Sequence, residues 1–158
     1  MTIDAREFRN ALGQFSTGVC LITVHSNTAG PLALTANSFA SVSLDPPLVL
    51  WSLQNNSDVF KDYSAPQHFA INVLSSAQQD ISDLYARKGE HQLDQGHFVE
   101  GMYGSPLINH ALARFECAVE TTHDGGDHTI IVGRVLEMSG LEGGDPLLFY
   151  CGGYRALA

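Results

Sequence analysis

The chain alternates short apolar runs with turn-forming clusters, and its hydrophobic period shifts from helical to extended near residue 16. Asp4 and Glu7 have the spacing of a capping box, and Phe8, Ala11, Leu12 and Phe15 recur at helical spacing, predicting a helix over 5–14. Residues 17–25 read as a strand, with Val19, Leu21, Thr23 and His25 on one face and Cys20, Ile22 and Val24 on the other. The cluster at 26–30 is a turn, and 31–43 read as a second strand at hairpin distance. Asp45-Pro46-Pro47 ends it, because neither proline donates to a ladder. A short apolar strand follows over 48–53, then a short helix opened by Asn55-Asn56-Ser57 and running to about Tyr63. Residues 69–74 form another strand, and 76–88 an amphipathic helix with Ile81, Leu84 and Tyr85 as its stripe. Residues 91–104 are polar and glycine-bearing, which predicts a long loop. Two long β segments, 113–122 and 129–138, flank the turn Asp124-Gly125-Gly126-Asp127, and 146–150 is a final strand.

Six or so strands with few helices, mostly joined as hairpins, predict a mainly β, antiparallel barrel with a few flanking helices. Leu48-Val49-Leu50-Trp51 and Ile130-Ile131-Val132 are apolar on both faces, so a helix or a second subunit must cover the outside. The 158 residues fit one domain, 1–158, without repeats or linkers. A formal charge of −9, with Arg87-Lys88 as the longest basic cluster, argues against nucleic acid. A phosphorylated ligand must therefore be held by local donors against the global field. Cys20, Cys117 and Cys151 make no CxxC pair or disulfide framework, and no apolar run approaches the roughly 20 residues of a membrane span. The expectation is a soluble cytoplasmic protein that engages no membrane.

Three stretches carry candidate chemistry. Within 34–43, Thr35, Asn37, Ser41 and Ser43 share strand parity if no bulge intervenes. Such a row is either a plain exposed face or a bed of small donors for a flat heteroaromatic ring. Asn55-Asn56-Ser57-Asp58 precedes a helix and reads as ordinary capping or as a phosphate site. His128, after Gly126-Asp127, is a surface turn residue or a catalytic one. The histidines show no HxH or HxxxH spacing, so no metal site is expected. No Walker loop, GxSxG elbow or GxGxxG is present, so any nicotinamide cofactor binds without a Rossmann fold.

Several blocks then converge: the opening Phe8-Arg9-Asn10-Ala11-Leu12-Gly13-Gln14-Phe15-Ser16-Thr17-Gly18-Val19, the segment from Leu34 through Val49, Phe69-Ala70-Ile71-Asn72-Val73-Leu74, Ala113-Arg114-Phe115-Glu116-Cys117, Gly126-Asp127-His128, and Pro146 through Tyr150 with Gly153-Tyr154-Arg155. Over nearly its whole length the chain resembles the short-chain flavin reductases of the FMN-binding split-barrel family, typically reductase components of two-component monooxygenases. The resemblance implies a split β-barrel. It places Thr35, Ala36, Asn37 and Ser38 near the flavin ring and ribityl chain, with Ser41, Val42 and Ser43 close by. Trp51, Ser52 and Ser57 would reach the ribityl and phosphate region, and His128 the nicotinamide and the reactive ring edge. At 91–96, His-Gln-Leu-Asp-Gln-Gly stands where relatives commonly carry a lysine and an aromatic, and Arg87-Lys88 is the candidate substitute for phosphate charge.

The resemblance implies hydride transfer from NADH or NADPH to FMN, with FAD possible, in a homodimer that supplies reduced flavin to a separate monooxygenase. Two alternatives stay open: an oxidoreductase on the same fold with tightly held FMN acting on a small organic substrate, and a non-catalytic flavin- or haem-binding protein.

Overall fold

The computed structural model describes residues 2–158. Helix α1, Ala5–Leu12, is capped by the Asp4 carboxylate, which accepts from the N–H groups of Arg6 and Glu7 at 3.0 and 2.9 Å. The predicted strand at 17–25 divides at Val19 into β1, Thr17–Gly18, and β2, Cys20–Ser26. Strand β3, Gly30–Ala36, pairs with β2, and β4, Ala40–Leu44, leads through a tight turn into β5, Pro47–Gln54. Helix α2, Phe60–Ser64, precedes β6, His68–Val73, and a 3-10 turn, Ser76–Gln78, opens α3, Gln79–Ala86. The expected long loop at 91–104 contains β7, Phe98–Glu100, which forms a small hairpin with β8, Pro106–Ile108, just beyond it. Strands β9, Ala113–Gly125, and β10, His128–Gly140, form the long hairpin. The chain ends on β11, Leu148–Tyr150, and β12, Gly153–Arg155. Strands of two or three residues carry no readable period, which is why the sequence suggests fewer strands than form.

The main sheet has seven antiparallel strands in the order β3-β2-β6-β9-β10-β5-β4. Its outermost strands, β3 and β4, are joined by residues 37–39 alone. At about 3.3–3.6 Å per residue that link is far too short to span a flat seven-stranded sheet. The sheet must therefore curl until its edges meet, which makes the closed barrel-like form a consequence of topology. The Ser38 hydroxyl anchors this corner to β5, in line with the β4–β5 pairing: its Oγ accepts from Ser52 N–H at 2.9 Å and donates to Ser52 O at 3.3 Å.

This corner overturns the expectation of one strand across 31–43. The ladder stops at Ala36, resumes at Ala40 on the opposite edge, and shifts register again between Ser41 and Ser43. Thr35, Asn37, Ser41 and Ser43 consequently share no face.

Burial explains the two-sided apolar strands. Cys20, Ile22, Val24, Val49, Trp51, Leu53, Phe69, Ile71 and Ile131 fill the interior. On the outside of β2, Val19 and Leu21 pack with Ala33, Tyr85 and Leu93, so α3 and the segment after it form a second core. The outward side chains of β5 and β10 lack such a cover: Leu48, Leu50, Ile130 and Val132 are only half-buried. Helix α1 buries no residue, and Phe15 and Leu44 are 80% and 97% exposed. Among the described residues no helix is long and apolar enough to cross a membrane.

Candidate active site

A cleft of about 450 Å³ opens where β3 runs out into the seam, within the size range of small-molecule and cofactor sites. Thr35 and Ala36 end β3, and Asn37 and Ser38 make the corner. Trp51, Ser52 and Gln54 come from β5, and Asn56, Ser57 and Asp58 from the turn after it. Ala86 ends α3, Lys88 and His91 follow it, and His128 opens β10. A smaller, more apolar recess of about 190 Å³ shares Thr35, Ala36, Asn37 and Ala86 and adds Val19, Phe149 and Tyr154.

Of the residues singled out from sequence, the fold brings Thr35, Ala36, Asn37, Ser38, Trp51, Ser52, Ser57 and His128 to this one cleft. Ser41, Val42 and Ser43 lie outside it, on edge strand β4, with Ser41 exposed and Val42 47% exposed. Helix α2 starts at Phe60, three residues later than expected, and its N-cap Val59 has no side-chain cap. Ser57 thus sits in a turn, its N–H donating to Gln54 O at 3.1 Å and its Oγ accepting from Val59 N–H at 3.3 Å. A helix terminus cannot supply the phosphate donors there. Lys88, Gln54, Asn56, Asp58, Ala86 and His91 complete the lining. The polar run at 55–58 and the basic pair at 87–88 were visible in the sequence. The approach of His91 to Asp58 joins segments 33 residues apart and leaves no local signal.

His128 is placed by the turn beside it. Asn55 N–H donates to Asp127 O at 2.9 Å, its Nδ2 to Gly126 O at 3.2 Å, and Thr129 Oγ1 donates to Asn55 Oδ1 at 2.8 Å. These bonds tie the β5 end to the β9–β10 turn, and His128 pairs across the ladder with Gln54. The half-buried imidazole bonds through Nδ1 to Asp127 Oδ1 at 2.7 Å and holds that carboxyl below its ordinary range. Thr35 Oγ1 donates to Ser82 O at 2.7 Å, fixing β3 to α3. Asn37 is exposed and its amide has no partner among the described residues. Burial pushes the Cys20 and Cys117 thiols up to about 12, so neither is a nucleophile at neutral pH.

The donor set fits a flavin. Hydroxyls and amides at Asn37, Ser52, Gln54, Asn56 and Ser57 suit a ring with carbonyls and ring nitrogens and a polyhydroxyl chain. Lys88 brings an ammonium to the lining and Asp58 a carboxylate. Trp51, also in the lining, has a buried Nε1 with no hydrogen-bond partner in the protein. No group of His, Cys, Asp and Glu among the described residues has the proximity to hold a metal ion.

An antiparallel barrel with a polar cleft at its seam fits a flavin-binding oxidoreductase, and the family follows from comparison. Residues 12–158 match the flavin reductase like domain, and the chain belongs to that family. It is 48% identical over 151 residues to the FMN reductase (NADH) SmoA of Agrobacterium fabrum, covering 96% of this chain and 85% of SmoA. It is 40% identical over 149 residues to the reductase component of the flavin-dependent trigonelline monooxygenase of Acinetobacter baylyi. That match covers 94% of this chain and about half, 48%, of that longer protein. Among solved structures, BorF, the flavin reductase component of a bacterial two-component tryptophan halogenase, superposes with a TM-score of 0.90 at 37% identity, covering 98% of each chain. The NADH:FAD oxidoreductase SgcE6 of Streptomyces globisporus C-1027, solved with NAD and FAD fragments, superposes with a TM-score of 0.91 at 35% identity, covering 100% of this chain and 97% of that one. The chain is a flavin reductase, an oxidoreductase that uses flavin and nicotinamide cofactors.

Proposed function

We propose that the cleft at the barrel seam holds FMN in preference to FAD, and that NADH reduces it there for delivery to a separate monooxygenase. The observation that carries this reading is the convergence of the Thr35–Ser38 corner, the β5 end, the 55–58 turn, Lys88 and His128 on one cavity of suitable size. FMN and NADH are the cofactors named for SmoA. The oxygenase partner is carried over from the relatives that are reductase components of two-component systems. A cytoplasmic setting stays with the sequence reading.

The bound cofactors supply the redox chemistry, a hydride passing from the reduced nicotinamide to the flavin ring. The protein's own residues position and exclude. The corner residues Thr35 to Ser38 form the bed for the ring, with the Asn37 amide free to bond its polar edge. The 56–58 turn and Lys88 flank the phosphate. His128 joins the lining beside Gln54, where its Nε2 is left to meet the nicotinamide or the ring edge while Asp127 orients Nδ1. Hydride transfer itself needs no protein acid or base, so alignment carries the rate.

The same reading includes a homodimer. The half-buried outer row Leu48, Leu50, Ile130 and Val132, with the uncovered apolar side chains of α1, is the kind of surface an obligate interface buries. Light scattering should return twice the chain mass of 17.1 kDa, and a monomer at micromolar concentration refutes the dimer. The catalytic reading is tested by mixing a trace of protein with NADH and excess free FMN. Many turnovers per protein are expected. Flavin retained through gel filtration with no turnover of free FMN would instead favour a tightly held prosthetic group.

A further inference from the structure

Phe149 and Tyr154 face each other across β11 and β12, their rings edge to face with centroids 5.6 Å apart. The pair walls the recess of about 190 Å³ beside the cleft, and Val19, Ala36 and Ala86 add aliphatic surface. Two further hydroxyls there are already used. Thr35 Oγ1 donates to Ser82 O at 2.7 Å, and the Tyr154 hydroxyl lies 2.7 Å from Ser82 Oγ. Ser82 is fully buried, so both bonds end at a residue that water does not reach. Among the described residues no Asp, Glu, His, Lys or Arg lines the recess. What it offers a ligand is aromatic and aliphatic carbon. An apolar cavity of about 150 Å³ takes a benzene molecule, so this one has room for a single substituted ring.

The neighbouring cleft has the opposite character, with the hydroxyls and amides of Ser38, Ser52, Gln54 and Asn56 and the charges of Asp58 and Lys88. Thr35, Ala36, Asn37 and Ala86 line both cavities, so the two meet at the end of β3. A ligand that fills both must be apolar at one end and polar at the other. A flavin ring is built that way: carbonyls and an N–H at its pyrimidine edge, a benzene ring with two methyl groups at the far edge. The nicotinamide carries a carboxamide, and adenine carries ring nitrogens and an amino group. Either one in the recess would bury polar atoms without partners.

We infer that the recess takes the dimethylbenzene edge of the flavin, with Phe149, Tyr154 and Ala86 as its walls, which turns the pyrimidine edge toward the polar side chains of the cleft. The inference rests on the reading of the cleft as the flavin site, and it adds the direction of the ring and a recognition element for its two methyl groups. Ser82 is a positioning residue in this arrangement, because it holds the hydroxyls of Thr35 and Tyr154 and leaves carbon toward the ring. Selection among flavins by substitution at the benzene edge follows, separate from any selection for the phosphate.

The test compares FMN with 7,8-didemethyl-FMN by flavin fluorescence titration. Both carry the phosphate, so contacts at that end cancel in the ratio of affinities. A buried methyl group contributes about fourfold in affinity, so the wild type should bind FMN about fourfold to fifteenfold more tightly than the analogue. Tyr154→Ala removes one wall, and Ala86→Leu fills the recess from the exposed end of α3. In both variants the ratio should fall toward one, with a thermal melt reporting the fold. A wild-type ratio near one overturns the inference. So does a ratio that either variant, once folded, leaves at the wild-type value, because the methyl groups are then buried elsewhere. Should one variant fail to fold or to bind, the wild-type ratio and the other variant decide. Absence of FMN binding to the wild type sinks the cleft reading itself.

Discussion

Replacing Ser38 with alanine tests fold and site together, because its hydroxyl ties the β3–β4 corner to β5 beside the cleft. In Ser38→Ala, Ser52 loses both an acceptor for its N–H at 2.9 Å and a donor for its C=O at 3.3 Å. A neutral hydrogen bond contributes about 0.5–1.5 kcal/mol, and a fully buried orphan costs about 1–3 kcal/mol. Ser52 is half-buried and lines the cleft, so water can replace part of the loss. An overall destabilisation of about 1–2 kcal/mol follows. For a chain of this size each kcal/mol moves the melting temperature by about 2–4 °C, so the expected drop is roughly 2–8 °C. The control is Ser41→Ala, on exposed edge strand β4, which should stay within about 0.5 kcal/mol of wild type and leave flavin affinity unchanged. Thermal and urea unfolding of the two variants would settle the matter. Equal stability of Ser38→Ala and wild type would refute the anchoring of the corner to β5, and flavin loss in Ser41→Ala would refute the boundary drawn around the cleft.

Asn37→Ala should weaken FMN binding by about 0.5–1.5 kcal/mol in a fluorescence titration, since its free amide is available to the ligand, and an unchanged dissociation constant counts against that role. His128→Ala should slow flavin reduction by NADH in stopped-flow while melting temperature and flavin affinity hold, and a wild-type reduction rate ends its catalytic assignment. Gly133→Ala should cost about 1–3 kcal/mol in urea unfolding, because a Cβ there meets Phe69 Cζ at 2.6 Å and Cys117 Cβ at 3.1 Å inside the barrel. Asp58 has a lowered folded pKa, so its stabilisation is present above the unfolded carboxylate value and lost as pH falls through the folded one. The stability gap between wild type and Asp58→Asn should therefore close in acid, and a gap independent of pH contradicts the pairing.

The elements with a strong period were legible. The N-cap at Asp4, the two faces of β2 and the long β9–β10 hairpin all form where residue pattern places them. The seam was not legible, because 31–43 carry continuous β propensity and nothing local announces that the two halves lie on opposite edges of a sheet. That corner decides which hydroxyls share a site: it brings Ser38 to Ser52 and sends Ser41 and Ser43 away. The same limit hid His91. Its partners Ala33 and Asp58 lie 58 and 33 residues away, and only the folded chain brings them together. The outer apolar row of β5 and β10 was visible as two-sided hydrophobicity, but the helix that covers an outer face packs on β3 and β2 instead.

The most direct measurement is a crystal structure of the protein with FMN bound. The ring should lie against the Thr35–Ser38 corner, with its phosphate between the 56–58 turn and Lys88 and with His128 on the open side of the ring. Flavin bound away from this cleft, or turned so that its phosphate meets His128 and not Lys88, would contradict the account.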